Sequence, residues 1–98
     1  MAEIIWTETA LEQYDEVLAP IYENNIEVGV SINSKVEETL EILTTYPESF
    51  PVVAEPLRKL SIPGYPFVLY YEYRGDGFVR IAAFFHDKQN RPARSDDE

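Results

Sequence analysis

The sequence predicts a single α+β domain, residues 1–98, in which a pair of N-terminal helices covers one face of an antiparallel sheet. Three observations lead to this fold class. The first half of the chain contains two apolar stripes at helical spacing, and the second half contains aromatic and β-branched runs joined by short turns. A length of 98 residues suits one domain and no more. The predicted order of elements is β-α-α-β-β-β.

The opening segment predicts the first strand and the start of the first helix. Glu3–Trp6 is short, apolar and β-favouring, which is typical of a strand. Thr7 suits a helix N-cap, because its hydroxyl can accept a hydrogen bond from an amide group of the first turn. The apolar stripe of the first helix is then Leu11, Tyr14, Leu18 and Ile21.

A second helix is predicted to start between Ile26 and Ser31. It ends at Tyr46, because the residue before Pro47 is pushed out of the helical region. The asparagine pair at 24–25 marks a short turn, so the two helices should pack as an antiparallel hairpin. The apolar stripe of this helix is Ile32, Val36, Leu40 and Leu43.

The remaining strands are predicted to form an antiparallel meander. Residues 47–56 contain three prolines and no periodicity, so they predict an irregular connection. Residues 57–60 alternate apolar and basic side chains, Phe67–Tyr73 reads as a central strand, and residues 78–85 supply its hairpin partner. Strands that follow one another through short turns pair together, which leaves the first strand at an edge. The polar segment 87–98 is predicted to be a flexible tail.

The net charge of −10 is distributed unevenly along the chain. Residues 1–50 carry eleven acidic side chains and one lysine, whereas residues 51–98 carry seven acidic and seven basic side chains. The simpler interpretation is that the acids form the solvated faces of two helices. A functional interpretation is that the helical face repels nucleic acid, and the overall charge argues against tight nonspecific nucleic-acid binding.

Composition excludes several kinds of site. Without cysteine the chain has neither a disulfide framework nor a thiolate metal site, and His86 beside Asp87 lacks the spacing of a metal site. The longest apolar run, residues 67–71, is far too short to cross a membrane, and no basic segment precedes the short run at 4–6 as in a signal peptide. We therefore expect a cytoplasmic protein that uses no cofactor.

The candidate functional side chains are the single histidine and the cations of the second half. His86 ends the last strand, where it suits proton transfer near neutral pH, although a hydrogen bond that closes the strand is the simpler explanation. Arg58 and Lys59 are successive residues of a strand and point to opposite faces. Strand charges also discourage aggregation at an edge. The candidate contacts with a target or partner are Arg58, Lys59, Tyr71, His86, Arg91 and Arg94.

Aromatic side chains are numerous in the predicted strands. Alternate residues of a strand face opposite sides, so about half of these rings should pack under the helices. The other half would form an exposed apolar patch, which indicates a protein partner or a second copy of the chain. The aromatic set is Phe67, Tyr70, Tyr71, Tyr73, Phe78, Phe84 and Phe85.

Five segments, in order along nearly the whole chain, resemble the ParE/RelE toxin superfamily of type II toxin–antitoxin and plasmid stabilisation systems. The resemblance is carried by their combination rather than by any one of them. They are Ile5-Trp6-Thr7 with Ala10, Leu43 with Tyr46-Pro47-Glu48, Leu57-Arg58-Lys59-Leu60, Pro66-Phe67-Val68-Leu69-Tyr70-Tyr71, and Ile81-Ala82-Ala83-Phe84-Phe85-His86 followed by Arg91-Pro92.

The resemblance implies a toxin that a cognate antitoxin neutralises, as a homodimer or in a toxin–antitoxin hetero-oligomer. The ParE branch inhibits DNA gyrase by binding it, whereas the RelE branch cleaves messenger RNA on the ribosome. The sequence is closer to the ParE branch, because Val68 stands where the RNA-cleaving branch carries an arginine and no tyrosine follows Tyr73. A degenerate, non-toxic member is a further alternative. If the chain is a nuclease, the participating residues would be Arg58, His86, Lys88 and Arg91.

Overall fold

The computed structural model describes residues 1–88, which form two helices and one sheet of five strands. The sheet order is β1-β5-β4-β3-β2. The predicted contacts Arg91 and Arg94 and the tail beyond Lys88 lie outside the described residues. Neither helix within residues 1–88 combines the length and the apolar character that crossing a membrane requires. The elements are β1 Glu3–Trp6, α1 Glu8–Asn24, α2 Ile26–Thr45, β2 Val52–Ala54, β3 Leu57–Ser61, β4 Phe67–Tyr73 and β5 Phe78–His86.

The predicted α+β class and the edge position of the first strand are confirmed. β3, β4 and β5 form the antiparallel meander, but the sheet as a whole is mixed because β1 pairs parallel with β5. The connection predicted to be irregular contains one additional strand, β2, which pairs antiparallel with β3 at the far edge. A strand of three residues flanked by prolines has too little periodicity to be recognised from the sequence.

A single residue connects the two helices. The backbone N–H of Asn25 donates to the Ile21 carbonyl at the end of α1 (2.8 Å), and its side-chain oxygen accepts from the Val28 N–H at the start of α2 (3.3 Å). Thr7 is the predicted N-cap of α1, where its hydroxyl oxygen accepts from the Ala10 N–H. Local capping therefore sets both ends of the turn in the helical hairpin.

The core lies between the hairpin and one face of the sheet. The predicted stripe of α2 is buried in full, but the stripe predicted for α1 is wrong at Leu11, which is 48% exposed. Ala10 is buried instead, at 0% exposure, because its small side chain lets the first turn of α1 lie close against the sheet. Leu11 lines a shallow groove of about 310 Å³ between α1, α2 and β1.

The strand aromatics alternate between the two faces of the sheet as predicted. Phe67, Tyr71 and Phe84 are buried under the helices. Tyr70 pairs in register with Ala83 on the other face, where its ring lies 5.6 Å from the ring of Phe85. Both of these rings are half-buried, so the patch predicted on this face is less exposed than the alternation alone indicates.

Candidate partner-binding site

A groove of about 650 Å³ lies between α1 and one end of the sheet. β1 ends at Trp6, level with Ile81 of β5, so within residues 1–88 the last residues of β5 have no strand beside them on that edge. α1 passes this edge and forms the other wall of the groove. The lining residues are Gln13, Glu16, Val17, Pro20 and Ile21 of α1, Phe67 of β4, and Phe84, Phe85 and His86 of β5.

Two hydrogen-bonded contacts hold α1 against the edge of β5. The Thr7 hydroxyl donates to the Ile81 carbonyl (2.9 Å), at the point where the chain leaves β1. Nearly two turns further on, the Gln13 side-chain oxygen accepts from the Phe84 N–H (3.0 Å) and so satisfies a donor of the strand that β1 no longer covers. The wall and the floor of the groove are therefore fixed relative to each other.

A row of aromatic rings forms the floor beneath α1. The ring centroid of Tyr14 lies 4.9 Å from that of Phe84, edge to face, and Phe84 lies 5.7 Å from Phe67. Phe67 in turn meets the His86 ring edge to face at 5.6 Å. Offset and edge-to-face contacts are favourable arrangements for aromatic pairs. The groove consequently has a rigid apolar floor that ends at a histidine.

His86 closes β5 at the mouth of the groove. Its ring Nδ1 accepts a hydrogen bond from the Lys88 N–H (3.1 Å), and the Asp87 N–H donates to the Pro66 carbonyl (2.8 Å). A neutral imidazole that accepts at Nδ1 carries its proton on Nε2. The ring is thus oriented by backbone on one side and by Phe67 on the other.

The α1 wall carries acceptors. Glu16 is exposed at the groove, and Pro20, one turn further on, has no N–H to donate to the Glu16 carbonyl. Both the carboxylate and this carbonyl favour a hydrogen-bond donor or a cation. The rim of the groove is therefore negative and its floor is apolar.

The wider hairpin is strongly acidic as well. α1 and α2 together carry nine acidic side chains and one basic one, Lys35. Tyr14, whose hydroxyl donates to the side-chain oxygen of Asn33, lies close to two of these acidic side chains. Burial, with smaller contributions from Tyr22 and two nearby carboxylates, raises the pKa of Tyr14 to about 12. Negative charge next to a phenol disfavours its ionised form.

Arg58 and Tyr71 lie far from this groove and hold the connection between α2 and β2. The Arg58 guanidinium donates to the carbonyls of Phe50 (2.7 Å) and Glu48 (3.2 Å), and the Tyr71 hydroxyl donates to the Pro47 carbonyl (2.8 Å). Burial raises the pKa of Tyr71, and the nearby Arg58 charge opposes that shift. Tyr71 is 0% exposed, so the direct partner contact predicted for it is not available in this structure.

The other cations of the sheet are spread over its surface. Lys59 pairs in register with Tyr70, on the face opposite Arg58, as the alternation predicted. Arg80 forms an ion pair with Asp76 (2.9 Å), lies over the Phe78 ring, and lowers the pKa of that carboxyl by hydrogen bonding. These side chains do not converge on one site.

Within residues 1–88, Arg58 lies apart from the other two residues predicted for a nuclease, His86 and Lys88. Arg58 aligns with Tyr71, and His86 aligns with Phe67 four residues along β4, which separates them by about 13 Å along the strand direction. Arg80, another cation of β5, aligns with Glu72, five residues along β4 from the partner of His86, which separates the two by about 17 Å along the strand direction. The backbone N–H of Lys88 donates to the His86 ring within this turn.

Sequence reasoning found His86 but missed the α1 side of the groove. Gln13, Glu16 and Pro20 are polar or helix-breaking residues that look like ordinary solvent-facing positions. One usable signal was the proline at 20, since a proline inside a helix removes the donor that the carbonyl four residues earlier needs. No cluster of three or more histidine and carboxylate side chains in the described part of the chain could hold a metal ion.

The chain is similar to one protein family and to solved structures. A family described as the ParE toxin of the type II toxin-antitoxin system parDE matches residues 4–91. Among solved structures, a chain of a chromosomal ParDE toxin–antitoxin system from P. aeruginosa has a TM-score of 0.68 at 19% identity, covering 88% of this chain and 96% of that one. At this identity the likeness establishes a shared fold. No curated protein matches the chain.

Proposed function

The chain belongs to the ParE toxin family of type II toxin–antitoxin systems, and we propose that it acts in the cytoplasm by binding and inhibiting DNA gyrase. A cognate antitoxin, which membership of this family implies, would neutralise it by covering its surface. The proposal requires no metal or other cofactor, because inhibition by binding involves no chemical step. We further propose that Lys59 and His86 contribute to its contact surfaces.

The separation of Arg58 from His86 is the observation that carries the choice of a binding mechanism. RNA cleavage needs a base, an acid and cations gathered around one phosphate. Arg58 binds backbone carbonyls about 13 Å from His86 along the strand direction, which supports a structural role for its charge. Val68 is 2% exposed at the position where the RNA-cleaving branch carries an arginine, and an apolar side chain cannot stabilise a phosphorane.

Induced expression in a bacterial host tests the proposal when growth, message integrity and gyrase supercoiling are followed together. We expect arrested growth, full-length message and blocked supercoiling by the purified chain. Ribosome-dependent cleavage of the message would show that the chain acts as a nuclease rather than as a gyrase inhibitor. Normal growth with the protein present would indicate a member that has lost its toxicity.

A matched pair of variants sharpens this test. Lys59→Glu reverses a charge on the open face of the sheet, and Lys35→Glu makes the same change on the helical hairpin. If Lys59 contacts the target, we expect Lys59→Glu to weaken supercoiling inhibition about tenfold, as for the loss of one charge-assisted contact. Equal effects of the two variants would assign the loss to net charge and remove Lys59 from the proposed contact surface.

A further inference from the structure

The groove between α1 and the end of the sheet combines an apolar floor with an acidic surround. Val17 and Ile21 line it from α1, opposite the half-buried ring of Phe85, and the buried rings of Phe67 and Phe84 pack beneath. Glu16 stands exposed on the rim, on a hairpin with nine acidic side chains and one lysine. An occupant must therefore be apolar on one side and complement negative charge on the other.

The length of the groove fits a peptide segment. Gln13 and Ile21 are eight residues apart on α1, so the lining extends over about 12 Å of that helix at 1.5 Å per residue. This equals about two turns of a partner helix, which presents apolar side chains at i, i+3 or i+4, and i+7. A volume of about 650 Å³ accommodates several such side chains together.

The backbone of α1 adds to the preference for a cationic occupant. Because Pro20 has no N–H, the Glu16 carbonyl lacks its helical donor at the same turn that carries the Glu16 carboxylate. A lysine or arginine side chain can donate to both, and hydrogen bonds from a charged donor are the stronger kind. An acidic occupant would meet repulsion from the whole hairpin.

We propose that this groove binds a basic amphipathic segment of the antitoxin, with its apolar side chains against Val17, Ile21 and Phe85 and a lysine or arginine against Glu16. The inference rests on the proposed function, because the occupant is the neutralising partner. It specifies the sign of that partner's charge: the toxin-binding segment of the antitoxin is basic, and salt weakens the complex.

Two synthetic helical peptides with the same leucine face test the proposal. One carries lysines on its flanks, and the other carries glutamates at the same positions. With the full chain, we expect the lysine peptide to bind at least about tenfold more tightly, and to lose affinity as salt shortens the Debye length from about 10 Å to 3 Å. Equal affinity of the two peptides, or no binding by either, would overturn the proposal.

A matched pair of charge reversals separates the groove from general attraction. Glu16→Lys lies on its rim, whereas Glu41→Lys makes the same change on an exposed acidic stretch of α2. We expect Glu16→Lys to weaken the lysine peptide about tenfold and Glu41→Lys to weaken it no more than about twofold, because an exposed distant charge is screened. Equal losses would mean nonspecific attraction to an acidic protein and would reject the groove as the site.

A second copy of the chain is the alternative occupant of the groove. If a second copy of the chain filled the groove, sedimentation would detect a dimer that the lysine peptide dissociates, which would overturn the antitoxin assignment. Growth arrest and supercoiling inhibition are measured without either peptide. Toxicity with no peptide binding would therefore reject this inference alone, and absence of toxicity would reject the proposed function independently of the groove.

Discussion

The helical hairpin and the sheet use their charges in opposite ways. The hairpin has nine acidic side chains, and within the described residues Lys35–Glu38 is its only ion pair (3.1 Å). In the sheet, arginines are engaged by neighbouring acceptors: Arg74 pairs with Glu72 and Arg80 pairs with Asp76, both at 2.9 Å. The negative charge therefore remains available to a partner, whereas much of the positive charge has been used within the sheet.

This difference explains why the positive charge of the strands does not gather into one patch within the described residues. Arg58 illustrates it, since its guanidinium faces the carbonyls of Phe50 and Glu48 rather than the solvent. A guanidinium that is hydrogen-bonded to backbone carbonyls fixes the position of the connection between α2 and β2. It contributes less to the long-range electrostatic field of the protein. The field that a partner encounters is then dominated by α1 and α2.

The largest effect on stability is expected where the two helices touch most closely. A Cβ at Gly29 would lie 2.6 Å from the Tyr22 ring, so Gly29→Ala forces the hairpin apart. Overpacking of this kind costs about 1–3 kcal/mol, partly offset by the better helix propensity of alanine, about 1 kcal/mol. A contact of 2.6 Å calls for the upper end of that cost, so we expect a net loss of about 2 kcal/mol in the free energy of unfolding, measured by urea denaturation.

A double-mutant cycle isolates the contact between the helices. In a Tyr22→Leu background the ring is gone, so Gly29→Ala should cost much less than it does beside the tyrosine. Identical costs in both backgrounds would mean that the helices do not pack through this pair. The hairpin would then owe its geometry to the Asn25 turn and the sheet contacts alone.

The corresponding test in the sheet removes the Arg58 guanidinium, which holds the connection between α2 and β2 in place. Arg58→Met keeps an aliphatic side chain but loses the hydrogen bonds to Glu48 and Phe50. Because the site is partly exposed, we expect a loss of about 1.5 kcal/mol, the lower end of the range for hydrogen bonds to charged groups. Hydrogen exchange should accelerate at amides of residues 47–54 while the hairpin stays protected.

Lys59→Met is the matched control, since it removes the neighbouring cation from the opposite face of the same strand. We expect a change within about 0.5 kcal/mol, which is usual for a surface substitution. If both variants destabilised the chain equally, the positive charge of β3 would matter as a field rather than through the Arg58 hydrogen bonds. The comparison between hairpin and sheet would then fail.

The elements that local sequence specifies were the ones that could be predicted. Thr7 and Asn25 cap helices through hydrogen bonds to residues three positions away, and the α2 stripe follows from spacing alone. The parallel pairing of β1 with β5 joins Ile4 to Val79, and no local signal encodes it. The fold class was therefore accessible from the sequence, whereas the mixed sheet was not.

The groove required three-dimensional information for the same reason. Gln13 and Phe84 are separated by 71 positions, and only folding brings that amide oxygen to the strand. Nothing in the residue type distinguishes Glu16 from the other exposed acids of the hairpin. His86 was found because it is the single histidine and ends a strand, whereas among its α1 neighbours only Pro20 carried a signal.

The smallest expected effect concerns the phenol of Tyr14, whose ring packs edge to face against Phe84 beneath the groove. The pKa of Tyr14 is raised to about 12, so the folded state favours its neutral form. The resulting stability is complete below the unfolded pKa of about 10 and is lost as pH rises from about 10 to 12. Because Tyr14 is only half-buried, we expect solvent screening to reduce the loss to about 1 kcal/mol.

Urea unfolding at pH values of about 9 and 11 measures this loss, with Tyr14→Phe as the reference. The phenylalanine variant lacks the hydrogen bond to Asn33 and is less stable at the lower pH, but the titration of position 14 is absent. Every group other than position 14 is the same in both proteins, so the wild type should lose about 1 kcal/mol more than the variant. Parallel losses would mean that Tyr14 ionises equally well in the folded and unfolded chains, and that its burial does not disfavour the charged form.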